Sequence, residues 1–254
     1  YTTLFRSNCT FEAQLTLKNS SSTKPFALSV EHTTFKAGLL VQNVSSSGQE
    51  WLVKEARFTS GSSLHLRDAR ITSSGASHGV NFENSHFHGA ELIIERCTIT
   101  GGDVGIRFFN SDPTNLGASL ENGASLSILD SVVTGSASPM ANHFKTLSNI
   151  TGSWITNTAR FLNATVTFSG STFSASSDGL HLLFGNTSTV IADALALATP
   201  IVIFTGLPQH PSAPTAGSTS TLQVPSSFNV SNLKVDAMAV KLGIKYCFLP
   251  ASLE

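Results

Sequence analysis

Histidine, cysteine and acidic side chains are the groups that could bind a metal or move a proton. His86 and His88 flank Phe87 in the string Ser85-His86-Phe87-His88, two residues apart on an extended segment, and so project from one face. His78, or His65 on a neighbouring segment, would complete a three-ligand set. No Cys or carboxylate spacing accompanies them, so the simpler expectation is surface histidines on either side of a buried Phe, and no metal ligands are assigned. Asp68, Asp103, Asp112, Asp130 and Asp178 are scattered, none within three residues of another, whereas calcium asks for about six to eight converging oxygens. Gly-X-Ser-X-Gly is absent and no Ser-His-Asp set can be picked out. The residues nominate no catalytic group and no cofactor site.

The three cysteines are Cys9, Cys97 and Cys247. Cys97, and Cys9 in a degenerate first copy, fall on the small position of the repeat described below. Equivalent places several coils apart exceed the span of about 7 Å that a disulfide can bridge. Both are therefore expected to be small buried residues, with Cys247 left over.

Asn-X-Ser/Thr occurs at Asn8, Asn19, Asn43, Asn149, Asn163, Asn186 and Asn229. These seven are the candidate N-glycosylation sites, and their excess leans toward a secreted or surface glycoprotein. The chain holds 64 Ser and Thr and 15 Asn. Such a composition generates some sequons by chance.

An eight-residue pattern positions most of these groups: apolar, any, apolar, any, any, small, any, apolar. It recurs as LSVEHTTF from Leu28, WLVKEARF from Trp51, LHLRDARI from Leu64, VNFENSHF from Val80, LIIERCTI from Leu92, LSILDSVV from Leu126 and VTFSGSTF from Val166. The sixth place is Thr33, Ala56, Ala69, Ser85, Cys97, Ser131 or Ser171, never a large side chain. Apolar residues two apart describe a strand with one face inward. The polar residue and the small one that follow describe a corner, with Asp68 and Asp130 in structural places. Several copies run on into a second strand, as in FKAGLLVQN from Phe35 and ITGGDVGIRFFN from Ile99.

From Leu28 to Trp51 the step is 23 residues and from Leu15 to Leu39 it is 24. That is room for three short strands and three turns, and about nine to eleven coils in all. A coil of this kind buries only a stripe, so neighbours must stack on both sides. The fold expected is all-β, a right-handed parallel β-helix forming one domain over 1–254. Residues 110–122 are expected to loop out, and the Pro/Ser/Thr-rich stretch 205–225 reads as a long loop or linker. A β-sandwich would also supply many short strands, but it does not require a small corner residue at a fixed offset.

Charged residues are 12% of the chain, and the 17 Phe against 2 Tyr and 2 Trp belong in a dry interior. Net charge is -1, which gives no field for nucleic acid. The apolar stretch 190–204 is broken by Asp193 and Pro200, so no membrane span is expected in this segment.

Strings such as SLSILDSVVTG, ELIIERCTITGGDVGIRF and TVTFSGSTFSASSDGLHLLF resemble the pectate-lyase-like superfamily of right-handed parallel β-helices over residues 10–190. The Ser/Thr-rich, sequon-bearing character is similar to that of dispersed-gene-family surface proteins of kinetoplastid parasites. The first resemblance implies, for its lyases, an Asp cluster holding calcium with an Arg or Lys base and, for its hydrolases, adjacent carboxylates. The motifs carrying those residues have no counterpart here. The second implies a fragment of a longer surface-anchored adhesion protein.

The function expected is a non-catalytic surface or secreted adhesion or structural module, extracellular, with host or cell-surface glycans or proteins as partners. The alternative is a polysaccharide-active enzyme or glycan-binding module on the same fold. An ice- or mineral-binding face would demand regular outward Thr-X-Thr rows, and only Thr98-Ile99-Thr100 and Thr165-Val166-Thr167 resemble one.

Overall fold

The computed structural model describes residues 5–21, 28–109, 118–136, 138–141, 160–175, 183–184, 189–194, 196–198, 205–206, 227–231 and 234–235. Every described element is a strand, and the strands form a 12-stranded and a 14-stranded sheet in which all pairings are parallel. Each pass of the chain lies in register beside the pass before it. Leu15, Leu39, Leu64, Leu92, Leu126, Val166, Val190 and Phe228 stand side by side in one continuous row of register partners, eight passes among the described residues.

The steps along that row are 24, 25, 28, 34, 40, 24 and 38 residues, so a minimal pass needs about two dozen and the rest is insertion. Two of the long steps contain residues 110–117 and 142–159, between Val104–Phe109 and Ser119–Glu121 and between Ser138–Ala141 and Arg160–Leu162. Within 110–122, expected to loop out, Ser119–Glu121 is a strand paired with His86–His88, and 110–117 lie outside the described residues. Of 205–225, Thr205–Gly206 is a strand and the remainder lies outside the described residues.

A pass is built from four short strand segments rather than three. Ser29–Phe35 and Gly38–Gly48 show the plan, because each continues through a corner and pairs with two separate strands of the next pass. The first pairs with Trp51–Lys54 and Arg57–Phe58, the second with Ser63–Arg67 and Arg70–Ser73. The octet therefore occurs on two arcs of the same pass: copies at Leu28, Trp51 and Val80 stack in the 12-stranded sheet, and those at Leu64, Leu92, Leu126 and Val166 in the 14-stranded one.

The corner is made by a backbone conformation that L-residues avoid. The fifth residue of each octet has positive φ: His32 51°, Glu55 50°, Asp68 51°, Asn84 49°, Arg96 49°, Asp130 48° and Gly170 59°. Asn and Asp tolerate this region because their short side chains bond locally, while other L-residues incur about 1–2 kcal/mol. A third set of corners, at Gly89 (60°), Asn122 (56°) and Asn163 (48°), turns the chain from one sheet to the other.

Next to each corner the small residue points inward, and more than its size matters. Thr33, Ser131 and Ser171 each donate a hydroxyl to the carbonyl oxygen two residues back, at 2.8, 2.7 and 3.0 Å, and Ser85 lies 2.9 Å from Val53 O and 3.2 Å from Glu83 O. Three of these hydroxyl oxygens accept the main-chain N–H of the equivalent residue one pass earlier: Ala56 to Ser85 at 3.2 Å, Cys97 to Ser131 at 3.0 Å and Ser131 to Ser171 at 3.1 Å. A kinked strand cannot present that N–H to a neighbouring carbonyl, and a buried unpaired N–H is costly. Here the hydroxyl takes it. Small size admits the side chain, and the oxygen completes the ladder.

Inside, register stacks like on like. Strands about 4.8 Å apart set their ring spacing, and Phe11, Phe35, Phe58 and Phe87 follow one another at centroid distances of 5.4, 4.9 and 4.6 Å with near-parallel planes. Phe82 and Phe108 form a second stack at 4.8 Å. Trp51 points inward as expected, 1% exposed, and donates its indole N–H to Ser46 Oγ at 2.6 Å. Trp154 lies outside the described residues.

Ser131→Ala removes both the acceptor of the Cys97 N–H and the donor to Leu129; unfolding in urea is expected to show a loss of about 1–3 kcal/mol. Cys97→Ser, which keeps a donor and acceptor at the equivalent place, should cost clearly less. Ala194 has φ of 50° with no polar side chain to offset it, so Ala194→Gly is expected to stabilise by up to about 1 kcal/mol.

Candidate functional sites

The outward side chains of the two sheets carry three constellations. On the 14-stranded sheet, Asp68 and Arg96 are successive corner residues, and the Arg96 guanidinium donates to Asp68 Oδ1 at 2.7 Å and Oδ2 at 3.1 Å while also bonding Glu95. Arg67 approaches Glu95 at 3.4 Å, and His65 Nε2 lies 3.1 Å from Glu95 Oε2. The bond to Arg96 holds Asp68 below the usual carboxylate range. Burial raises Glu95, but Arg67, Arg96 and His65 together outweigh it and its carboxyl is also lowered. These charges neutralise one another across neighbouring passes at the surface, where such pairs contribute little.

The second constellation holds the histidines singled out above. Phe87 is fully buried while His86 and His88 face outward, as the alternation requires. His86 Nδ1 meets Ser119 Oγ at 2.9 Å, and burial lowers its pKa against the opposing charge of Glu121. His88 Nδ1 meets Asn122 Nδ2 at 2.8 Å. His65 belongs to the other sheet and His78 to the connection before Val80–Glu83, so the structure does not bring the proposed three ligands together. Among the described residues no three His, Cys, Asp or Glu side chains converge as a metal requires.

The third is the most enclosed, and it escaped the sequence reading. His78 is 6% exposed, and Asn81, which alternation sends outward between Val80 and Phe82, is only 3% exposed. The Arg107 guanidinium donates to His78 Nε2 at 2.8 Å and lies over the Phe109 ring, 3.7 Å from its centroid. Since Arg can only donate, the imidazole is neutral and carries its proton on Nδ1. The His78 main-chain N–H donates to Glu50 Oε2 at 3.2 Å. Burial, with Arg107 beside it, brings the His78 pKa down to about 4. Burial also lowers Arg107, against the attraction of Glu50, Glu83 and Asp103. Lys54 pairs with Glu83 at 3.0 Å, and that bond raises its pKa and keeps it protonated.

The His78 lone pair is occupied by Arg107, and the Lys54 amine is charged. The register of this group explains why it was missed: Leu52, Asn81 and Arg107 are widely separated in the chain and become neighbours only through parallel pairing.

Three of the seven expected glycosylation sites are corner residues. Asn19, Asn43 and Asn163 have φ of 55°, 54° and 48° and are exposed, and Asn43 Nδ2 donates to Asn19 Oδ1 at 2.8 Å. Exposed Asn8 precedes Cys9, whose register partner is Thr33, the small residue next to the His32 corner. At Asn163 the tripeptide reads corner, small inward Ala164 and outward Thr165, so the corner plan itself favours Asn-X-Ser/Thr there. Asn229 lies within Ser227–Ser231; Asn149 and Asn186 fall outside the described residues.

Cys9 corrects an expectation. It is exposed rather than buried, and it belongs to the 12-stranded sheet, so its ladder differs from that of Cys97. Cys97 is buried, with Sγ 3.4 Å from Leu66 O and 3.3 Å from Glu95 O. Cys247 lies outside the described residues.

Outward hydroxyls also align. Ser47, Thr72, Thr100, Thr134 and Ser174 form one row across five passes, and Thr134 Oγ1 meets Ser174 Oγ at 3.0 Å. The parallel row of Ser45, Arg70, Thr98, Val132 and Thr172 is interrupted by a charge and a bare methyl pair, so the second column of a Thr lattice is missing.

A comparison with protein-family models finds no family that the chain matches, and a comparison with curated proteins finds no similar one.

Burial pushes the Cys97 thiol up to about 11. At pH 8 its thiolate fraction is expected to be two orders of magnitude or more below that of an ordinary thiol. Iodoacetamide should therefore label Cys9 in the folded chain and leave Cys97 untouched until denaturant is added, as read by peptide mass mapping.

Proposed function

We propose that this chain is a right-handed parallel β-helix serving as a non-catalytic adhesion or structural module, secreted or displayed at a cell surface. The observation that carries the reading is the make-up of the later outward rows. From Ser125 onward the 14-stranded sheet presents Ser125, Ser127, Thr134, Thr165, Thr167, Ser169, Thr172 and Ser174 at outward positions, with little charge, over an interior that is apolar apart from its corner serines. A stiff stack with a hydroxyl surface suits display of loops and glycans better than turnover of a substrate. Cell-surface glycans or proteins are the partners such a surface would meet.

The sequons support the same reading where they lie on exposed corners. Glycans on Asn8, Asn19, Asn43 and Asn163 would project from edges of the stack and leave the sheet faces open. Asn229, Asn149 and Asn186 complete the proposed set.

The test has two arms. Expressed through a eukaryotic secretory pathway, the chain is expected to lose mass on endoglycosidase treatment, with the modified asparagines found by peptide mapping. Beads coated with the intact chain are expected to bind cells or an arrayed glycan. Release of new reducing ends or unsaturated sugars from polysaccharide, with no binding in the bead assay, would replace this proposal with the enzymatic one.

A further inference from the structure

We infer that Glu50, His78 and Arg107 form a clip across three successive passes that opens when His78 takes up a proton. The clip closes the connection 74–79 on both sides. Behind it, His78 N–H bonds Glu50 and Gly79 O accepts from the Trp51 N–H at 3.0 Å. Ahead of it, Gly79 N–H donates to Val104 O at 2.9 Å, Asp103 N–H donates to Ser77 O at 2.9 Å, and Arg107 reaches the imidazole. Packing is close: a Cβ built on Gly79 would sit 2.5 Å from Gly105 O and from Ile99 Cγ2. The backbone there is held by fit as well as by bonds.

A proton on Nε2 removes the only lone pair that Arg107 can use and sets an imidazolium against a guanidinium in a buried place. The other charged groups around the connection are Glu50 before Trp51–Lys54, Lys54 at its end, Glu83 at the end of Val80–Glu83, and Asp103 beside Val104–Phe109. Lys54 and Glu83 pair with each other, and Glu50 binds main chain rather than the ring. Arg107 is the charge that meets the ring.

The sign follows from linkage. A histidine whose folded value is about 4 and whose free value is 6.5 binds a proton more weakly when closed. Closure is complete above pH 6.5 and weakens as the pH falls toward 4. The open form should rise about 30-fold between pH 7.5 and pH 5.

The experiment is native-state hydrogen exchange of the intact chain at the Gly79 and Asp103 amides, corrected for intrinsic pH dependence. The wild type is expected to show the roughly 30-fold extra opening at pH 5. His78→Gln, which keeps a neutral acceptor for Arg107, should abolish that dependence, while Glu50→Gln should retain it. Persistence of the dependence in His78→Gln, or its loss in Glu50→Gln, overturns the proposal. Should a variant fail to fold, NMR titration of the His78 imidazole in the unaltered chain decides instead: a value near 4 supports the clip and one near 6.5 refutes it.

Discussion

The structure depends on a left-handed corner whose disrupted amide is, at three of the octets, accepted by a hydroxyl of the next pass. A parallel sheet keeps its N–H and C=O groups paired as long as the strands stay extended. Two of the bends in each pass fall inside the octet, and there the main chain turns away from its partner. An inward Ser or Thr oxygen in the neighbouring pass restores the missing bond, so Ser85 serves Ala56, Ser131 serves Cys97 and Ser171 serves Ser131. The corner thereby becomes as periodic as the strands, and large side chains are excluded from the sixth octet position for a second reason besides volume.

Much else follows from that periodicity. Because every pass repeats the same corners, equivalent residues fall in register, and register brings Phe onto Phe, Asn onto Asn and hydroxyl onto hydroxyl. The interior gains face-stacked rings that an irregular core would seldom offer. In the 12-stranded sheet His32, Glu55 and Asn84 turn the early passes directly, whereas residues 110–117 and 142–159 separate the corresponding strands in sequence in later passes.

The octet, its inward apolar residues, its small sixth place and the parallel stacking were legible in the sequence because they obey short fixed offsets. The step of 23 to 24 residues was legible for the same reason, as Val30 over Val53 and Leu15 over Leu39 show. The assignment of octets to two arcs was not, since Leu28 and Leu64 look alike as strings and differ only in which sheet they join. The exposure of Cys9 was missed because a repeat predicts equivalence, while burial depends on what lies beside each copy. His78 with Arg107 was out of reach altogether: 29 residues separate them, and nothing in either neighbourhood announces the other.

One property of the register bears on length. Since each pass touches chiefly the passes on either side, the stack has no preferred height, unlike a globule whose core closes on itself. Eight passes at strand spacing reach about 34 Å from first to last. One added pass of about two dozen residues would extend each sheet by one strand spacing, about 4.8 Å, and ask the passes on either side of it for matching corners.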